Sequence, residues 1–382
     1  MSNYLGVRRF VLIPRISARI QSSITAKSRI QRRCLATESS TAKLQASLLD
    51  PTLFRQNAYT FEVNKPATGE IIGTCPEMNK AETSAAISQA QKSFESFQYR
   101  TARQRMTILK RWHKLMRQHK DDLARILMFE NGRPISAAGA DIDYVASFFE
   151  WFQGEAVRVY GDTIEASTVG VIGILTPWNF PCAMITRKVG AAVVAGCTIV
   201  LKPAAEIPYS TLALAEVEMC DNDDVKKISF TGSTGVGKLL MAQSASSLKK
   251  LSLELGGNAP FIVFDDASLE NAVAGLMAAK FRASDQTCVC ANSVYVQEGI
   301  YDRFVSAFAE EVQRSMQPGG PEDLQTTLGC LINDKAVQKV ERLVEDAIDL
   351  GAEIVLGGKK QHAERGHFYP ATILKYDGRH GC

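Results

Sequence analysis

The sequence predicts an α/β fold built on a parallel sheet, and three observations carry that prediction. Short apolar runs at Val169–Leu175, Cys197–Leu201, Lys227–Phe230, Leu251–Leu255 and Pro260–Phe264 alternate with helical segments. Strands that are apolar along their whole length are buried on both faces, the pattern of βαβ units rather than of hairpins. The chain has 382 residues, 46% hydrophobic and 22% charged, which allows two domains and excludes wholesale disorder.

Taken in order, residues 1–37 hold eight basic residues and no Asp or Glu, with Val11, Leu12, Ile16 and Ile20 spaced for one face of a cationic helix. An acid-free, Arg-rich, Ser-dotted start has the composition of a mitochondrial transit peptide. A matrix location is therefore expected, and with it reduced thiols rather than a disulfide framework for the nine cysteines. The rest of the chain has 36 basic against 41 acidic residues, a net of −5, which argues against nucleic acid as a partner. No apolar run approaches the roughly 20 residues of a membrane-spanning helix. No pair of CxxC units exists to hold zinc, so no metal site is expected.

Residues 38–58 are polar and have the texture of a linker. Residues 59–75 contain Pro66-Ala67-Thr68-Gly69 between two β-rich runs, a hairpin signal. From Lys80 to about Phe152 apolar residues recur at helical spacing, and Phe148, Phe149, Trp151 and Phe152 are expected to be packed core.

The chemistry-bearing residues lie where strands should end. Thr231-Gly232-Ser233-Thr234-Gly235-Val236-Gly237-Lys238 marks a strand-to-helix turn. Gly-rich turns there expose backbone N–H groups and suit phosphate. The string nearly matches a nucleotide-binding P-loop, but Leu239 occupies the position where such a loop needs Ser or Thr for magnesium. A plain structural turn fits the loop equally well. Glu254, at the end of an apolar strand, is expected to have a raised pKa and to serve as a base. Cys288 lies in Gln286-Thr287-Cys288-Val289-Cys290-Ala291-Asn292, where a lone thiol would ordinarily be a small buried hydrophobe.

Together with Thr176-Pro177-Trp178-Asn179-Phe180-Pro181 and Lys202-Pro203-Ala204, this ordered set resembles the NAD(P)-dependent aldehyde dehydrogenase superfamily, from about Tyr59 to Leu374. Within it, Ile185-Thr186-Arg187-Lys188, Lys280-Phe281-Arg282 and Gln-Thr-Cys-Val-Cys-Ala-Asn are most similar to succinate-semialdehyde dehydrogenases, enzymes of 4-aminobutyrate degradation. The resemblance implies a Rossmann-like NAD(P)-binding domain over 59–256 and a catalytic domain over 257–375.

It also implies roles. Cys288 would add to the aldehyde carbon as a thiolate and form a thiohemiacetal. The side-chain amide of Asn179 and the backbone N–H of Cys288 would hold the oxyanion. Hydride would pass to NAD or NADP, leaving a thioester that Glu254 hydrolyses by activating water. Trp178, Lys202, Gly232, Ser233 and Gly237 would contact the coenzyme. Ala205 stands where NAD-preferring members carry an acid, with Glu206 beside it, so the coenzyme preference stays open. Arg187 and Arg282 would grip the distal carboxylate of the substrate through their planar forks, and Cys290 would be a redox partner of Cys288. An aldehyde dehydrogenase of other specificity and a non-catalytic nucleotide-binding homologue are the competing readings.

Four departures from the family pattern are expected to matter. Asp285 stands where the family has Gly before the nucleophile motif, and a carboxylate there would favour thiol over thiolate. A subunit-contact arm is missing near residue 167. A strand and helix are missing near residue 219, which would leave a gap in the sheet or force re-pairing. The family's C-terminal region is absent beyond residue 375, and 376–382 has no family counterpart. These losses resemble exon errors in a predicted gene; homo-oligomer contacts of the family would be lost with them.

Overall fold

The structure, a computed structural model, describes residues 11–12, 60–77, 79–158, 168–208, 219, 222–360 and 366–375. All but Val11 and Leu12 of the expected transit peptide, the whole of the linker and the 376–382 tail lie outside the described residues. So do the expected junctions near 167 and 219, apart from Met219 itself.

The chain divides into two compact units: residues 1–64, 71–123 and 140–255, and residues 65–70, 124–139 and 256–382. Two short pieces inside the 59–256 stretch thus belong to the second unit.

The first unit contains β1 (Val11–Leu12), β2 (Thr60–Asn64), β3 (Ile71–Pro76), α1 (Lys80–Phe97), α2 (Ala102–Gln118), the start of α3 (Lys120–Asn131) and most of α4 (Ile135–Glu155). These are followed by β4 (Val171–Leu175), α5 (Pro181–Val194), β5 (Thr198–Lys202), β6 (Val225–Gly232), α6 (Thr234–Ser244) and β7 (Lys250–Leu255). Capping boxes start the first two helices: Asn79 with Glu82 on α1, and Thr101 with Gln104 on α2. Each satisfies two backbone donors that helix geometry leaves unpaired.

The main sheet has the order β1-β5-β4-β6-β7, parallel from β5 to β7, with β1 antiparallel at the β5 edge. Of the two outcomes expected for the missing strand, a gap or a re-pairing, this block shows no gap: β6 pairs directly with β4. The chain runs from β4 outward to β5 and returns to the other side of β4, so residues between β5 and β6 in sequence need not lie between β4 and β6 in space.

Strand β4 shows why its residues are apolar without alternation. Val171 and Leu175 pack on one face with Ile87 and Ala90 of α1, and Ile172 and Ile174 on the other with Leu109, Phe149 and Val189. Burying a Val, Leu or Ile side chain contributes about 1.5–3 kcal/mol, so both faces anchor the strand. The aromatic group of α4 divides instead of packing together. Phe149 is fully buried, whereas Trp151 is 65% exposed and Phe148 is half-buried. At about 100° per residue Phe149 and Trp151 lie at opposite ends of the aromatic arc, so with Phe149 turned into the core Trp151 turns away from it.

In the second unit, β8 (Ala259–Val263) and β9 (Ala291–Val296) form a parallel pair, joined through α7 (Leu269–Lys280). Helices α8 (Tyr301–Ser315) and α9 (Asp334–Asp349) and the antiparallel pair β10 (Glu353–Leu356) and β11 (Ile373–Lys375) complete its regular structure among the described residues. Its core gathers Val263, Leu276, Phe304 and Phe308. No described helix is long and apolar enough to cross a membrane.

Candidate active site

The sheet of the first unit brings four sequence-selected segments to one edge. Leu175 of β4 is in register with Lys202 at the end of β5 and with Phe230 near the end of β6. Thr231 of β6 is in register with Glu254 of β7. Trp178 and Asn179 follow β4 directly, and Gly232 and Ser233 follow Thr231. The carboxyl ends of parallel strands are where α/β sheets bind ligands, and every candidate of this unit lies there, on α5 or, for Gly237, in the first turn of α6.

Local chemistry fixes several of them. The side-chain carbonyl of Asn179 accepts the Phe180 N–H at 3.0 Å, which orients its amide. Helix α5 then starts with Pro181, a residue pre-set for the first helical turn. Ser233 caps α6, its hydroxyl accepting the Val236 N–H at 3.3 Å. Gly237 packs closely on β7: a Cβ there would lie 2.6 Å from Cδ2 of Leu255, so a larger residue would have to push that side-chain tip aside. Ser233, Thr234 and Gly235 are exposed at the start of α6, where the helix dipole favours an anion.

Glu254 is the most connected of the set. Its carboxylate accepts the Thr231 hydroxyl proton at 2.5 Å and the Lys188 ammonium at 3.1 Å, and it pairs with the Arg187 guanidinium at 3.6 Å. Burial pushes its carboxyl up, but the Thr231 hydroxyl, Lys188 and Arg187 together outweigh burial and hold it below the usual carboxylate range. The expected raised pKa is therefore corrected. The sequence shows a carboxylate on an apolar strand; it does not show two cations arriving from α5. Lys188 is nearly buried, and burial pulls its ammonium down, with Glu254 only partly offsetting that.

Arg187 also donates from Nη2 to the Tyr144 hydroxyl at 2.9 Å and stacks over the Phe148 ring at 4.9 Å. Its Nε–H is buried without an acceptor. Arg187, Lys188, Glu254, Phe148, Trp151 and Phe152 line a cavity of about 1180 Å³ in this unit. Sequence reasoning missed Lys188, Thr231, Tyr144 and Phe148. The i, i+4 spacing of Tyr144 and Phe148 on α4 was the available signal for the last two.

In the second unit, Cys288 is exposed in a turn between α7 and β9, and Cys290 is buried. The turn leading to it, Arg282–Asp285, holds Ala283 (φ 54°), Ser284 (φ 54°) and Asp285 (φ 64°) in the left-handed region. Three such residues in a row without a glycine cost roughly 1–2 kcal/mol each. Side chains hold them there. Lys280 pairs with Asp285 at 2.7 Å, and the Ser284 hydroxyl donates to the Gly329 carbonyl at 3.0 Å. Gln286 donates to the Cys330 carbonyl at 3.3 Å and accepts the Ile332 N–H at 3.0 Å. Cys290 Sγ lies 2.7 Å from the Thr287 hydroxyl and 3.4 Å from the Lys280 carbonyl. Burial pushes the Cys290 thiol up. Arg282 is exposed at the head of the turn.

A charged carboxylate, a helix-capping serine and a side-chain amide thus lie along the carboxyl edge of one parallel sheet, where α/β folds bind their ligands. The chain belongs to the aldehyde dehydrogenase family, which it matches over residues 54–218 and 216–377. It is 45% identical to the NADP(+) succinate-semialdehyde dehydrogenase of Escherichia coli (strain K12), a match covering 86% of this chain and 77% of that one. It is 47% identical to a glutarate-semialdehyde dehydrogenase of Pseudomonas aeruginosa, with the same coverages. The mitochondrial succinate-semialdehyde dehydrogenase of Homo sapiens is 43% identical over 414 aligned positions, covering 97% of this chain and 76% of that one. Because 414 exceeds the 382 residues present, that relative has internal residues with no counterpart here. The crystal structure of succinate-semialdehyde dehydrogenase from Burkholderia pseudomallei superposes with a TM-score of 0.80 at 45% identity, covering 85% of this chain and 77% of that one.

Proposed function

We propose that the chain oxidises succinic semialdehyde to succinate with NAD or NADP, as part of 4-aminobutyrate degradation in the mitochondrial matrix. The observation that carries the substrate is Arg187, a guanidinium in a cavity beside Glu254 with one buried donor lacking an acceptor. Relatives named for succinate and glutarate semialdehydes, both with a distal carboxylate, agree with that anchor. Arg282 is the second proposed carboxylate ligand.

The residues at the sheet edge fit a dinucleotide. The exposed first turn of α6 offers backbone N–H groups and Ser233 to a pyrophosphate, and Gly232, Gly237, Lys202 and Trp178 complete the set. When bound, the coenzyme supplies the acceptor for the two electrons and hydrogen leaving the substrate carbon. The chain's own residues do the rest. Cys288 supplies the nucleophilic sulfur, the Asn179 amide and the Cys288 N–H stabilise the oxyanion, and Glu254 takes a proton from the hydrolytic water. Cys290 is the proposed redox partner of Cys288. Assembly into a homo-oligomer is part of the same reading.

Steady-state assays with succinic semialdehyde, glutaric semialdehyde and butanal test the proposal. The four-carbon semialdehyde should give the highest kcat/KM; equal values for butanal would overturn the anchor, and a preference for glutaric semialdehyde would reassign the substrate. Cys288→Ala should abolish turnover with all three, and retained turnover would remove Cys288 from the mechanism.

A further inference from the structure

The proposed substrate anchor and the proposed base are paired with each other. Arg187 reaches Glu254 at 3.6 Å, while Lys188 and Thr231 hold the carboxylate from other sides. The Arg187 pair is the loosest of the three and involves a half-exposed carboxylate, 46% accessible. The guanidinium itself is held by other groups: the Tyr144 hydroxyl fixes Nη2, the Phe148 ring lies under Cζ, and Nε–H is left without an acceptor. The remaining charged side chains lining the cavity are Glu150, Glu155, Arg158 and Lys227.

We propose that Arg187 serves two carboxylates in turn: Glu254 in the free protein, and the distal carboxylate of the substrate in the complex, so that substrate binding releases the base. The proposal rests on the assignment of Glu254 and Arg187 given above. A planar guanidinium held to its present carboxylate at only 3.6 Å is better satisfied by a bidentate partner. An incoming carboxylate takes the Nη1 edge that faces Glu254 in the free protein, and its negative charge neutralises Arg187 with respect to Glu254. Glu254 then keeps only Lys188 and Thr231, so the proton affinity it needs for activating water rises when the correct substrate is present. An aldehyde without a distal carboxylate enters the same cavity and leaves the base clamped. Arg187 thereby sets specificity through kcat as well as through KM.

The test uses the unaltered full chain labelled with ¹³C at glutamate side-chain carboxyls, with Glu254→Gln identifying the resonance. The Glu254 titration midpoint is measured alone, with saturating succinate and with saturating butyrate. Succinate should displace the midpoint upward and butyrate should not. In Arg187→Gln the midpoint should already be displaced upward in the free protein and should no longer respond to succinate. A midpoint unmoved by succinate in the unaltered chain overturns the proposal, whether the carboxylate misses Arg187 or Glu254 stays paired. Failure of the underlying assignment is read separately: turnover retained by Glu254→Gln removes Glu254 as the base, while turnover lost with an unmoved midpoint rejects the release alone.

Discussion

The carboxyl edge of the first unit's sheet is assembled by regular backbone, whereas the turn before Cys288 in the second unit is assembled against backbone preference. At the edge, Lys202, Thr231 and Glu254 sit on extended parallel strands, with β4 buried on both faces and β7 packing Leu251, Leu253 and Leu255 against the core from one. In the turn, three left-handed non-glycine residues are held by bonds from Lys280, Ser284 and Gln286. One candidate region draws its geometry from a core and the other from a handful of polar contacts. Damage to the first should therefore cost global stability, and damage to the second should disturb local geometry at a smaller global cost.

The largest expected effect breaks the foundation of the edge. Ile174→Ala removes a fully buried β4 side chain and should destabilise the protein by roughly 2–5 kcal/mol, read as a lower urea midpoint. Gln286→Leu strikes the turn. It strands the Cys330 carbonyl and the Ile332 N–H, and should cost about 1–3 kcal/mol while changing the rate at which Cys288 is alkylated by iodoacetamide. An unchanged alkylation rate would show that the turn does not depend on that clamp. The smallest effect has the opposite sign: Ala283→Gly relieves a φ of 54° and should stabilise by about 0.5–1 kcal/mol in the same urea titration. A loss of stability there would mean the left-handed turn is not strained.

Legibility followed the same division. Runs such as Val169–Leu175 announce buried strands, and the residues just after them fell on the edge as expected, because strand burial and strand ends are written locally. The charge state of Glu254 was not legible, since it depends on Lys188, 66 positions away, and on Arg187 from the same helix. Nor was the turn, because Ala283 and Ser284 carry no signal for left-handed backbone. Phe148 and Trp151 were misjudged for a related reason: an aromatic run on a helix shows apolarity but not which side of the helix meets the core.

Gly237 of α6 faces the side chain of Leu255 on β7, and a Cβ there would lie 2.6 Å from Cδ2. Leu255 is the residue after Glu254, so the helix whose first turn is proposed for the coenzyme packs on the strand that carries the proposed base. The glycine acts as a shim of zero thickness. A side chain added at 237 would press first on the tip of Leu255, one residue from Glu254, so the missing side chain keeps a neighbour's bulk away from the strand end that carries the proposed base.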